Sequence, residues 1–198
     1  MISFMSRRLV AVLALLVMVA IVGGCGDAEP KFKGSDITGT QLGKGLSLTG
    51  MDGKTYTLND FAGRVLIVMF GFTQCPDVCP TSLAEMTEVM KLLGDQAKRV
   101  QVLMITVDPE RDTPEVLRAY LSGFDPRFLG LTGTTEQLKK AAASFKAYYA
   151  KTAGVKGNYS MDHSASFYLL DAKGEARVLL NNNVGAAVVA HDIERLLR

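Results

Sequence analysis

Past the first 45 residues, the densest apolar pattern is Val65-Leu66-Ile67-Val68-Met69-Phe70, with no polar residue at either parity. Such a run predicts a strand buried on both faces. Behind it, Leu83, Met86, Met90 and Leu93 recur at helical spacing until Gly94 stops the pattern, which predicts a helix. A second buried strand is expected over 100–107, ended by Asp108-Pro109. Thr113 before Pro114 is an N-cap with proline at the first helical position, opening a helix to about Leu121. Residues 128–131 read as a short strand, and Thr134 with Gln137 as a capping box for a helix to roughly Tyr149. Residues 151–162 are polar, bear glycine and lack periodicity, so they read as a loop. Residues 164–170 form a further strand, Ala172-Lys173-Gly174 turns it, and 176–180 returns antiparallel. Val189, Ile193, Leu196 and Leu197 mark one face of a closing amphipathic helix. Ahead of the first core strand, alternating runs at 46–48 and 55–58 flank Asp52-Gly53 and predict a hairpin.

The elements therefore run β-β, β-α-β-α, β-α, β-β-α. That order gives an α/β fold: a thioredoxin-like mixed sheet flanked by helices, with an added N-terminal β-hairpin. One apolar run lies outside it. Arg7 and Arg8 precede an unbroken apolar stretch over 9–22, and no acid occurs before Asp27. The stretch is short for a membrane span and has the length of a signal-peptide core. It ends in Val22-Gly23-Gly24-Cys25, which resembles the bacterial lipobox, where cleavage before the cysteine exposes it for lipidation. The domain organisation expected is a signal peptide over 1–24, a lipidated Cys25 with a flexible, Gly- and Lys-rich tether over 25–45, and a folded domain over 46–198. Retention of the apolar run as an uncleaved anchor is the alternative. Either arrangement places the domain in a bacterial cell envelope, facing the periplasm and attached to a membrane, where cysteines tend toward oxidation.

Charge adds an exclusion. Residues 1–24 hold two basic residues and no acid, so the remainder carries 20 Lys and Arg against 20 Asp and Glu. No basic stripe remains, and nucleic acid is not an expected partner.

With Cys25 assigned to lipid, the domain has two cysteines, Cys75 and Cys79, each followed by proline. They lie between the first core strand and its helix. Pro80 suits a first helical turn, which puts Cys79 near a helix N-terminus, where free N–H groups and the dipole favour a thiolate. Two such thiols can cycle between dithiol and disulfide or hold a soft metal. A static disulfide across so short a loop would stabilise little. Thiolates select Cu(I), and an imidazole can complete the site or help retain Cu(II). Of the two histidines, His191 falls on the polar face of the last helix, whereas His163 lies where a polar segment enters a strand. Met161 is read as packing.

Three blocks, Cys75-Pro76-Asp77-Val78-Cys79-Pro80, Val107-Asp108-Pro109-Glu110-Arg111-Asp112-Thr113-Pro114 and Asp162-His163-Ser164, resemble the Sco/SenC family of copper-binding, thioredoxin-like proteins, over about residues 45–198. The resemblance implies a membrane-tethered metallochaperone that helps assemble the copper centre of cytochrome c oxidase. It implies Cys75, Cys79 and His163 as ligands of one copper, Cu(I) or Cu(II), and the oxidase's copper-bearing subunit or another copper acceptor as partner. Asp77, between the cysteines, and Asp162, beside His163, either tune charge and orient the imidazole from behind the ligands or serve as solvated loop residues. The turn 108–114 is read as a structured cap without chemistry of its own.

A thiol–disulfide oxidoreductase is the rival reading, with Cys75 and Cys79 catalytic and a thioredoxin-like reductant as a further partner. Three residues separate the cysteines, unlike the thioredoxin spacing, and no proline follows Pro126 to supply that fold's cis-proline. The two activities are compatible, because a disulfide form cannot hold Cu(I) and its reduction would restore the site.

Overall fold

A computed structural model describes residues 31–153 and 158–198. The apolar run over 9–22 and Cys25 lie outside the described residues, and no helix among the described residues is long and apolar enough to cross a membrane.

The strands are β1 (Ser35–Asp36), β2 (Ser47–Gly50), β3 (Thr55–Thr57), β4 (Val65–Gly71), β5 (Val100–Thr106), β6 (Leu129–Thr132), β7 (Tyr149–Ala153), β8 (Tyr159–His163), β9 (Ser166–Leu170) and β10 (Ala176–Asn181). The helices are α1 (Val78–Leu93), α2 (Pro114–Ser122), α3 (Thr135–Ser144) and α4 (Ala186–Leu196). Eight strands form one mixed sheet in the order β1-β10-β9-β4-β5-β6-β2-β3, while β7 and β8 make a separate two-stranded ladder. β4, β5 and β6 are parallel, and β9 runs antiparallel to β4 on its other side.

All seven residues of β4 are buried. Val65, Ile67 and Met69 join the apolar core under α1 and α4, while Leu66, Val68 and Phe70 join the core that includes Leu138 and Ala142 of α3. The unbroken apolar run is thus explained by two cores, one per face, rather than by alternation against solvent. Burying a side chain such as Met86, which is 0% exposed, stabilises the fold by about 1.5–3 kcal/mol. The caps follow the sequence. Thr113 accepts from the Val116 N–H with Pro114 at the first position of α2, and Thr134 and Gln137 close a capping box on α3. Gly94 ends α1 with φ +53°, a conformation that favours glycine. The added hairpin is β2–β3, joined to the main sheet through β6.

Three expectations require correction. From Phe32 onward the stretch expected as a tether belongs to the domain: β1 pairs with β10, and Leu42 is buried. The buried Asp192 carboxylate accepts the Lys33 and Gly34 N–H groups, each at 2.8 Å. Short strands and backbone anchors of this kind leave little compositional trace. The helix expected to reach Tyr149 ends at Ser144, because Lys146 takes φ +53° and turns the chain. The supposed loop over 151–162 is largely the β7–β8 ladder, in which Tyr149 pairs with His163 and Lys151 with Met161. Tyr159, Met161 and His163 are a period-two pattern, but the polar residues between them gave too little contrast to mark a strand.

Candidate metal centre

β4 and β9 bring the site together. Gly71 ends β4, and the turn through Phe72 and Cys75 leads into α1, of which Cys79 is the second residue. Because β9 is antiparallel to β4, its entry carries His163 to the same end of the sheet. The sulfurs of Cys75 and Cys79 and a ring nitrogen of His163 all lie within 4.8 Å of one another. His163 Nε2 stands 3.7 Å from Cys79 Sγ, and the Cys79 N–H points at Cys75 Sγ at 3.4 Å. Both thiols are free.

The imidazole is oriented from behind. His163 Nδ1 lies 3.1 Å from the Ser164 carbonyl, so Nδ1–H donates there and the Nε2 lone pair faces the thiols. The Phe72 ring stands edge-on to it, 5.9 Å between centroids. Of the two roles open to Asp162, orienting the imidazole or facing solvent, the second fits its exposure. Asp162 is exposed and lines the cleft mouth, as does exposed Asp77, whose carboxylate makes no cap bond to α1. Met161 is buried and packs with the core, as its sequence context indicated. His191 lies outside the cluster, on α4, bound through Nδ1 to Asp192 at 2.8 Å.

The two sulfurs differ. Cys75 is half-buried and lines an open cleft of about 320 Å³ that also meets Pro76, Val78 and His163. Cys79 is 1% exposed, beside Gly71, where a Cβ would come to 3.0 Å of its sulfur. Burial pushes the Cys79 thiol well above its ordinary value, and the neighbouring Cys75 sulfur adds to the rise. The thiolate preference expected from a helix N-terminus is therefore overridden by desolvation. A soft cation between the sulfurs would reverse that balance, since a coordinating thiol is deprotonated outright.

The turn after β5, read from sequence as a cap, supports the whole site. Asp112 is 0% exposed. It accepts from the Thr73 N–H at 3.1 Å, and from the Thr73 and Thr106 hydroxyls at 2.6 Å each. Thr73 lies two residues before Cys75. Asp108 pairs with Arg111 and accepts the Tyr159 hydroxyl at 2.8 Å. Fully buried acids are rare unless partnered. Two of them beside an arginine at the end of a core strand were the available signal.

The comparisons with known proteins agree with this geometry. The SCO1/SenC family model matches residues 35–198, and the chain belongs to that family. It is 41% identical over 137 residues to a SCO2-like protein of Rickettsia felis, covering 68% of this chain and 67% of that one. The structure of Bradyrhizobium japonicum ScoI with copper bound is similar at a TM-score of 0.73 and 40% identity, covering 79% of this chain and 99% of that one. A SCO1/SenC family lipoprotein from Bacillus anthracis is similar at a TM-score of 0.71 and 26% identity, covering 85% of this chain and 100% of that one. The thioredoxin-like fold expected from the element order is the fold of this family.

Proposed function

We propose that this protein is a membrane-tethered metallochaperone that carries one copper on Cys75, Cys79 and His163 and assists assembly of the copper centre of cytochrome c oxidase. The observation that carries the reading is the convergence of two thiols and one imidazole within 4.8 Å, on segments 84 residues apart in sequence. Two sulfurs and one nitrogen suit copper in either oxidation state: the thiolates favour Cu(I), and the imidazole favours retention of Cu(II). The carboxylates of Asp77 and Asp162 at the cleft mouth add negative charge around a cation. The open cleft beside half-buried Cys75 is where the oxidase's copper-bearing subunit, or another acceptor, would approach.

Anaerobic copper titration of the reduced 198-residue chain tests this. One copper per chain is expected, with Cys75 and Cys79 both protected from alkylation. Binding that leaves both thiols reactive would exclude the site.

The tether forms part of the proposal. Residues 1–24 act as a signal peptide, and Cys25 is lipidated, holding the domain on the periplasmic side of a bacterial membrane. The lipoprotein relative from Bacillus anthracis supports this. Cys25→Ser is expected to release the chain from membranes. Full retention of an uncleaved chain would assign the anchor to the apolar run itself.

A second reading rests on the inequality of the sulfurs. Half-buried Cys75 is placed to attack a disulfide and Cys79 to resolve the mixed disulfide. The partner would leave with two thiols, and this chain with a Cys75–Cys79 disulfide for a thioredoxin-like reductant to restore. It moves ahead if the reduced chain reduces a partner's cysteines but binds no copper.

A further inference from the structure

We infer that Arg111 is a positioning residue that sets His163 against the two thiols, by holding both ligand-bearing segments on one guanidinium; the inference rests on the copper reading above. Arg111 Nη1 donates to the Gln74 side-chain oxygen at 3.0 Å, on the residue before Cys75. The same nitrogen donates to the Tyr159 carbonyl at 3.0 Å, at the start of the strand that ends in His163. Nε binds Asp108. The guanidinium lies 3.7 Å from the Tyr159 ring centroid and 5.8 Å from that of Phe72, the ring that stands edge-on to His163. Its side chain is only 15% exposed, so these contacts operate at reduced dielectric.

The need for such a clamp follows from the topology. The β7–β8 ladder has no hydrogen-bonded neighbour in the main sheet. Among the described residues, the hydrogen bonds from its two strands to anything outside 148–164 end on Asp108, Glu110, Arg111 or Cys79. His163 thus rides on a ladder that packs Met161 into the core but whose hydrogen bonds to the rest of the fold run chiefly to the turn after β5. Arg111 is the member of that turn that also grips the cysteine loop. A lysine could not replace it, because one ammonium cannot serve three acceptors in a fixed plane while lying flat on an aromatic ring.

Charge and position act with opposite sign, which makes the inference testable. A cation beside the site opposes Cu(II) more than Cu(I), so removing charge alone would strengthen Cu(II) binding. Loss of positioning would weaken it. In the reduced full chain, Arg111→Gln is expected to lower Cu(II) affinity by about 10–100-fold, as for other residues that orient a ligand, with a smaller change for Cu(I). Arg111→Lys, which keeps the charge, is expected not to rescue. In a His163→Ala background, which still holds Cu(I) on its thiolates, Arg111→Gln should have no further effect on Cu(I) affinity, because its action passes through the imidazole. In the metal-free chain, exchange of the amides that β7 and β8 bond between themselves should rise by about tenfold or more while β4 and β5 stay protected. Equal effects in both backgrounds, tighter Cu(II) binding, rescue by lysine, or unchanged exchange would each overturn the inference. If Arg111→Gln does not fold, Tyr159→Leu removes the ring under the guanidinium and must show the same non-additivity with His163→Ala. A parent chain that binds no copper, yet frees the ladder in Arg111→Gln, would sink the copper reading and the claim on copper while leaving the clamp itself demonstrated.

Discussion

His163→Ala is expected to abolish the thiolate-to-Cu(II) absorption of the copper-loaded chain while leaving substantial Cu(I) binding. The two sulfurs are soft donors and suffice to retain some Cu(I). Cu(II) needs nitrogen beside sulfur, and without it tends to oxidise the thiolates. His163 is the imidazole within reach, with Nε2 3.7 Å from Cys79 Sγ and Nδ1 committed to the Ser164 carbonyl. Losing it costs Cu(II) affinity by more than the roughly 10–100-fold typical of a residue that merely orients a ligand. His191→Ala is the control, since that ring lies on α4 against Asp192. Visible spectra and stoichiometry of both variants decide the matter. Parent-like Cu(II) spectra from both would remove His163 from the site and favour dithiol exchange.

The framework was legible because it is apolar and periodic. The strand at 65–70 and the helix carrying Leu83, Met86 and Met90 appear where the pattern put them, and so do the Thr113 and Thr134 caps. The three candidate ligands, Cys75, Cys79 and His163, were legible as a group as well, though for a different reason: cysteines and histidines are few, and the resemblance narrowed the choice. What stayed hidden was the polar support. β8 alternates Tyr, Met and His with small polar residues, and β7 sets one Tyr among Ala, Lys and Thr, a contrast too weak to read. Asp108, Arg111 and Asp112 looked like surface residues of a turn, yet Asp108 is 2% and Asp112 0% exposed. Their partners, Tyr159, Thr73 and Thr106, lie between six and 51 residues away. Periodicity cannot report hydrogen bonds between loops. The expected Cys79 thiolate failed on the same ground: helix position is local, but burial is a tertiary property that no neighbouring residue announces.

Asp112→Ala is expected to be the most destabilising substitution near the site, by about 3–5 kcal/mol. Alanine would leave the Thr73 N–H and the Thr73 and Thr106 hydroxyls without their shared acceptor, in a position where Asp112 is 0% exposed. Water could enter only as far as the lost carboxylate makes room for it. For a domain of this size the thermal midpoint should fall by about 10 °C. Asp112→Asn keeps one acceptor oxygen and should cost less, which separates hydrogen bonding from mere volume. The two variants also differ from the parent in pH dependence. Burial raises the Asp112 carboxyl above the ordinary 3.8, and Asp108 adds to that, while the Thr106 and Thr73 hydrogen bonds pull it back only in part. The folded state therefore binds its proton more tightly than the unfolded chain does. The resulting stability is fully present below 3.8 and is lost as pH rises through the higher folded value. Asp36, Asp60 and Asp125, whose hydrogen bonds hold them below the ordinary value, push stability the other way in both chains and cancel in the comparison. In denaturant unfolding across that window, the gap between parent and Asp112→Asn should therefore narrow as pH increases. A gap that is constant or widens would mean that Asp112 is charged as readily when folded as when unfolded. Because Thr73 leads into Cys75, Asp112→Ala should also loosen the thiol pair and weaken copper binding in both oxidation states. That outcome distinguishes it from His163→Ala, whose loss falls chiefly on Cu(II).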